Sequence, residues 1–196
     1  MPLGAFKAAL MGTAGASTTG DVVLLHDTDY SGAASADITS GIDSTYGEYI
    51  FKFYNINPAT DAENFTFQVN AAGGSGFNET ITSSSFSSFH TESDSSTSVE
   101  YRGGYDLAQG TGYQILSPLV GNGADESCAG ELRLFNPAST TYVKHFLIRT
   151  MENRSDDYAW ETFVGGYINT TTAIDEISFK MSSGNFDGTI KMWGVK

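Results

Sequence analysis

The chain reads as an all-β protein, an antiparallel β-sandwich of jelly-roll type preceded by a short N-terminal arm, and three observations predict it. Residues that suit pleated strands and tight turns dominate: 13 Phe, 10 Tyr and 22 Gly stand beside abundant Ser and Thr, while only 17% of residues are charged. Apolar residues alternate with polar ones at the period of two that puts one face of a strand on a core. Turn residues interrupt these segments about every dozen residues, the spacing of sandwiches and barrels.

The first 20 residues stand apart. Met1 to Met11 is mildly apolar, too short to span a bilayer, and carries its single cation inside the apolar stretch rather than ahead of it. It reads as an assembly arm, with Leu3, Phe6, Leu10 and Met11 as its contact residues, and any helix is confined to Gly4 to Met11. Gly12 to Gly20 is a small, polar link, so the domain proper is taken as residues 21–196.

Val22 to Leu25 reads as the first buried strand. Asp27-Thr28-Asp29-Tyr30-Ser31-Gly32 resembles the opening of a calcium loop, but the twelfth position, where a bidentate Glu belongs, is Ile38, so the segment is taken as a surface turn. Tyr46 to Ile56 carries the longest strand signal, with Tyr49, Phe51 and Phe53 on one face and Ile50, Lys52, Tyr54 and Ile56 on the other. Asn57-Pro58-Ala59-Thr60-Asp61 breaks it, since Pro fixes φ and cannot donate to a ladder, and Phe65, Phe67 and Val69 resume the alternation. The same grammar returns where Leu132 to Phe135 runs into Asn136-Pro137-Ala138 and on to Phe146 and Ile148. Both are expected to be hairpins.

Between them, Thr82 to Ser98 is a Ser-rich strand passing into a loop, and Val99 to Tyr101 and Tyr113 to Leu116 are short strands. Trp160 to Val164 and Tyr167-Ile168 follow. The stretch from Asp175 to Lys196 closes the pattern: Ile177, Phe179 and Met181 alternate, Ser182 to Gly188 supplies turn chemistry, and Thr189 to Val195 runs out again, the outline of a third hairpin. Eight to ten strands result.

A formal charge of -13 repels phosphate backbones, which argues against nucleic acid as a partner. No run of apolar residues is long enough for a membrane span. Cys128 is the lone cysteine, His26, His90 and His145 fall on separate strands, and no nucleophile elbow, phosphate-cradling loop or zinc-ligand spacing occurs. No enzyme, metal or cofactor is therefore expected. Exposed aromatics stack on sugar rings, which nominates Tyr158 and Trp160, beside an acidic loop, and Trp193, which shares a face with Lys191 and Val195, for a carbohydrate-binding alternative.

The stretch YIFKFYNINPATD at Tyr49 to Asp61, the hairpin LFNPASTTYVKHFLIR at Leu134 to Arg149, and the ending MSSGNFDGTIKMWGVK at Met181 to Lys196 resemble a family of hypothetical virion proteins of tailed bacteriophages, those of marine phages especially. The resemblance covers the hairpins between Tyr46 and Lys196. It implies a non-enzymatic structural protein located in the virion, displayed as a capsid decoration or a tail-fibre or adhesin subunit. Its implied partners are other capsid or tail proteins and copies of itself, a trimer being the common arrangement, with a host-surface glycan as a further ligand. It implies no catalytic residue.

Overall fold

A computed structural model describes residues 21–196, so the arm residues Leu3, Phe6, Leu10 and Met11 lie outside the described residues. Twelve strands are present and no helix is found among the described residues: β1 (Val22–Ala33), β2 (Ala36–Ile38), β3 (Glu48–Pro58), β4 (Glu63–Ala71), β5 (Ile81–Thr91), β6 (Thr97–Tyr101), β7 (Gln114–Val120), β8 (Cys128–Phe135), β9 (Lys144–Arg154), β10 (Tyr158–Ile168), β11 (Ile174–Met181) and β12 (Phe186–Val195). Every pairing is antiparallel.

Hydrogen bonds connect β1-β12-β3-β8-β9-β10-β5-β6 in one run and β7-β4-β11-β2 in another. The runs are joined by a single ladder pair, Val120 of β7 with Arg154 at the end of β9. They also face each other through aromatic rings that no ladder connects. Phe53 of the long run lies 5.1 Å from Phe65 and 5.2 Å from Phe179 of the short one, and Phe146 lies 5.2 Å from Phe67. These rings are fully buried, and burying each contributes about 1.5–3 kcal/mol.

Of the three hairpins expected, one forms. β8 and β9 pair directly across the loop at 136–143. β3 and β4 do not pair: β3 lies between β12 and β8, whereas β4 lies between β7 and β11. β11 and β12 separate in the same way, β11 joining β2 and β4 while β12 joins β1 and β3. The short links at 59–62 and 182–185 therefore carry the chain over from one run to the other. Ala62 (φ 60°) and Gly184 (φ 73°) make the reversals, and Ala59 N–H donates to Asn185 O at 2.8 Å, which ties the two corners together. Crossing wins over pairing because it sets Phe53 and Phe186 of the long run across the core from Phe65 and Phe179 of the short one, where the rings bury one another.

Three smaller expectations also change. Val22 to Leu25 opens an edge strand whose Val22 and Leu24 are exposed, not a buried one. Asp27 to Gly32 continues that strand rather than turning, with Gly32 N–H donating to Asp187 Oδ1 at 2.6 Å. Ile56 is buried because a bulge between Phe53 and Ile56, with Asn55 at φ 50°, switches the side-chain parity of β3.

Two side-chain amides hold the loops. Gln68 Nε2 donates to the carbonyls of Glu79, Thr111 and Gly112 at 3.0, 3.2 and 2.9 Å, and Asn57 Nδ2 donates to those of Gly123 and Glu126 at 3.1 and 2.7 Å. Under β5 the inner layer is polar: Ser83 Oγ donates to Gln114 Oε1 at 2.6 Å and Thr150 Oγ1 to Leu116 O at 2.5 Å. Of the two fully buried serines of β5, Ser87 lies 3.4 Å from Thr162 Oγ1, whereas Ser85 Oγ has no partner, a local cost of burial.

Candidate interaction surface

The long run of strands has an inner face on the core and an outer face with no layer over it among the described residues. Alternation decides which side chains point outward. In β9, Lys144, Phe146, Ile148, Thr150 and Glu152 are buried while His145, Leu147, Arg149 and Met151 are exposed. Carrying that parity across the register puts Tyr101, Phe86, Phe163, Arg149, Glu131, Lys52, Lys191 and Asp27 in one row across the outer face. A parallel row runs through Ser84, Gly165, Leu147, Arg133, Ile50, Trp193 and Leu24.

Apolar groups gather at the β5-β10-β9 end. Phe86 and Phe163 stack with centroids 4.8 Å apart and planes within 7° of parallel, and the Arg149 guanidinium lies 5.3 Å from the Phe163 centroid. Phe86 is 45% and Leu147 53% exposed, although both sit in regular strands. Gly165 and Ser84 offer no bulk between them, which leaves a shallow depression of about 470 Å³ bordered by Phe86, Phe135, Leu147 and Phe163. A second depression, of about 500 Å³, adjoins it between Tyr54, Glu131, Arg149 and Met151.

The charges on this face are matched. Arg149 Nε meets Glu161 at 2.6 Å, Arg133 bridges Glu131 at 2.9 Å and Glu48 at 3.4 Å, and Lys191 meets Asp27 at 3.0 Å. Such exposed pairs contribute about 0–1 kcal/mol each, so their consequence is neutralisation more than stability. Four of the ten lysines and arginines occupy outward strand positions here, against five carboxylates: Asp27, Asp29, Glu48, Glu131 and Glu161. A chain of formal charge -13 thus carries a broad face close to neutral.

The aromatic residues nominated for ligand stacking divide between two sides. Trp193 faces outward beside Leu24 and Ile50. Trp160 points inward and is 3% exposed: its ring stacks on Phe89 at 4.8 Å, with the guanidinium of Arg102 4.4 Å and that of Arg154 4.2 Å from its centroid. Tyr158 is half-buried at the margin of the same cluster, 6.0 Å from Trp160. Tyr158 and Trp160 therefore come together, and Trp193 is on the opposite face of the sheet.

Beside that cluster is an enclosed polar group. Ser117 Oγ donates to Glu152 Oε2 at 2.5 Å, while Glu152 Oε1 has no partner. Burial pushes the Glu152 carboxyl well above the usual carboxylate range, against the opposing pull of the Ser117 hydrogen bond and the Arg154 charge. Burial likewise pushes the Cys128 thiol up, with Glu152 adding to the effect, so it is no nucleophile at neutral pH. Lys144 is buried along its length, and its ammonium donates to Tyr142 O and Thr170 O at 3.2 and 3.1 Å. No group of three or more His, Cys, Asp or Glu side chains converges as a metal site among the described residues.

The residues that make the outer patch were missed in the sequence, and the signal that could have found them is parity. Phe86 and Phe89 are three apart in one strand, as are Trp160 and Phe163 in its neighbour, so each pair must split between the two faces. One stack, Trp160 on Phe89, fills the inside; the other, Phe163 on Phe86, is left outside. No protein-family model matches the chain, and no curated protein matches it either.

Proposed function

We propose that the chain is a non-enzymatic structural subunit of a bacteriophage particle, an antiparallel β-sandwich of jelly-roll type displayed on the capsid or tail and associating with copies of itself and other virion proteins. Strand order supports the fold reading. With β5, β6, β9 and β10 set aside, eight strands remain, and the first of them pairs with the eighth, the second with the seventh, the third with the sixth and the fourth with the fifth. That is the pattern of a long hairpin rolled up on itself. The four strands set aside widen one layer, and they carry Phe86, Leu147, Met151 and Phe163, the apolar end of the outer face.

One observation carries the functional reading: a broad, nearly neutral sheet face bearing exposed Phe86, Leu147 and Met151 on a chain that is otherwise strongly acidic. Contiguous exposed apolar surface of this kind marks contact with other macromolecules. A host-surface glycan is a further ligand under the same reading. The test is direct. Antibodies raised against the chain should decorate purified phage particles in electron micrographs, and peptides of the chain should appear in digests of those particles. Particles produced in cells that express the chain, yet free of it, would refute the proposal.

A further inference from the structure

The outer face of the long run is most simply completed by itself. We infer that two copies of this chain pack outer face to outer face, with Phe86, Leu147 and Phe163 of each copy in the contact. The inference deepens the structural-subunit reading by naming the partner at that surface.

Charge selects the occupant. Two molecules that each carry a formal charge of -13 repel one another at most approaches, and the repulsion is least where both present their balanced face. The ion pairs beside the apolar patch are already closed within one copy, Arg149 with Glu161 and Arg133 with Glu131, so neither arginine is driven bare into the contact. A basic partner would find its attraction on the remainder of the surface rather than here. An acidic partner unlike this chain would have to supply its own neutral apolar patch, which a second copy has by construction.

Size agrees. Eight strands about 4.8 Å apart give a face roughly 34 Å wide, and four outward side chains along the strands other than the five-residue β6 give roughly 25 Å of height. The product is about 850 Å², close to the ~800 Å² per partner of a stable interface. Composition agrees as well, with aromatic and Met side chains at one end, arginines beside them, and lysine only toward β3 and β12. A patch that meets itself about a two-fold axis closes after two copies and leaves no open end for fibres.

The experiment is sedimentation of the full-length chain over a concentration series, with three variants. Wild type should sediment at twice the chain mass of 20.9 kDa. Leu147→Glu and Phe86→Ser should each weaken association at least about tenfold, equivalent to ~1.4 kcal/mol. Tyr142→Glu, at an exposed position in the 136–143 loop, should associate as wild type does. Circular dichroism should be unchanged in all three. Added salt should tighten the dimer, because it screens the net repulsion while leaving apolar contact intact. A wild-type monomer at every concentration, or an oligomer that survives Leu147→Glu, overturns the inference. A monomeric chain found on particles would overturn it while leaving the virion reading in place, and a Leu147-dependent dimer absent from particles would do the reverse.

Discussion

Phe86 and Phe163 stack on the solvent side of the sheet, 4.8 Å between centroids, three positions along the same two strands from Phe89 and Trp160, which stack on the core side. The outer stack is a cross-strand pair on an exposed face, so a double-mutant cycle of Phe86→Ala and Phe163→Ala should give a coupling of about 0.5–1.5 kcal/mol by urea denaturation. Zero coupling would mean that the rings do not remain stacked in the monomer.

Phe179 is the hub of the inner layer, touching Phe51, Phe53 and Phe65 at 5.5, 5.2 and 6.1 Å. Phe179→Ala should cost about 3–5 kcal/mol of unfolding free energy, since the rings around it belong to both runs and cannot collapse together into the void. Tyr142→Ala, at an exposed loop position, should change stability by about 0.5 kcal/mol or less in the same assay.

Glu152 sets a pH dependence whose sign follows from burial. Its carboxyl holds its proton more tightly in the folded chain than in the unfolded one. The fold is thus unpenalised below the ordinary value of 4.5 and loses stability as the pH climbs above it toward the raised value. Glu152→Gln keeps an acceptor for Ser117 and has no proton to lose. It should match wild type at about pH 4 and exceed it at about pH 8 in urea midpoint. Equal destabilisation at both pH values would indicate an ionised carboxylate paired with Arg154.

Gly188 sits in the bulge where β12 crosses β3, at φ 142°. A Cβ there would come within 2.6 Å of Ile56 Cδ1 and 2.9 Å of Asn55 O. Gly188→Ala should therefore destabilise by more than the ~1–3 kcal/mol of backbone strain alone, measured by thermal unfolding. A variant as stable as wild type would show that the bulge can relocate.

Cys128 gives a probe of global opening. Buried and held protonated, it should react with a disulfide reagent only as fast as the chain unfolds. Rapid modification under native conditions would show local opening at the β3-β8 contact.

Strand existence was legible in the sequence because alternation is a local signal, and Tyr49, Phe51 and Phe53 declare their face without help from the rest of the chain. Strand partners were less so. Asn-Pro-Ala occurs at Asn57 and again at Asn136; the second occurrence opens a hairpin and the first leads into a crossing, although the turn residues are the same. What separates them is distant: β4 finds β11 and β7, more than 40 residues away along the chain, and no turn sequence encodes that choice. Ile56 departs from the alternation of its own strand for a related reason, since the bulge at Asn55 lies against Gly188 of the neighbouring strand, where a side chain would collide with it. The candidate surface stayed hidden because serines dominate β5 and disguise a strand with two occupied faces.

β12 lies between β1 and β3, with Ile190 and Met192 fully buried, although it is the last strand in sequence. During synthesis the layer it completes has a gap between β1 and β3, and β1 can only wait, unpaired, for the better part of 170 residues. Closure of this layer consequently waits until Phe186–Val195 has been made, and any truncation ahead of Phe186 would strand two exposed edges at once.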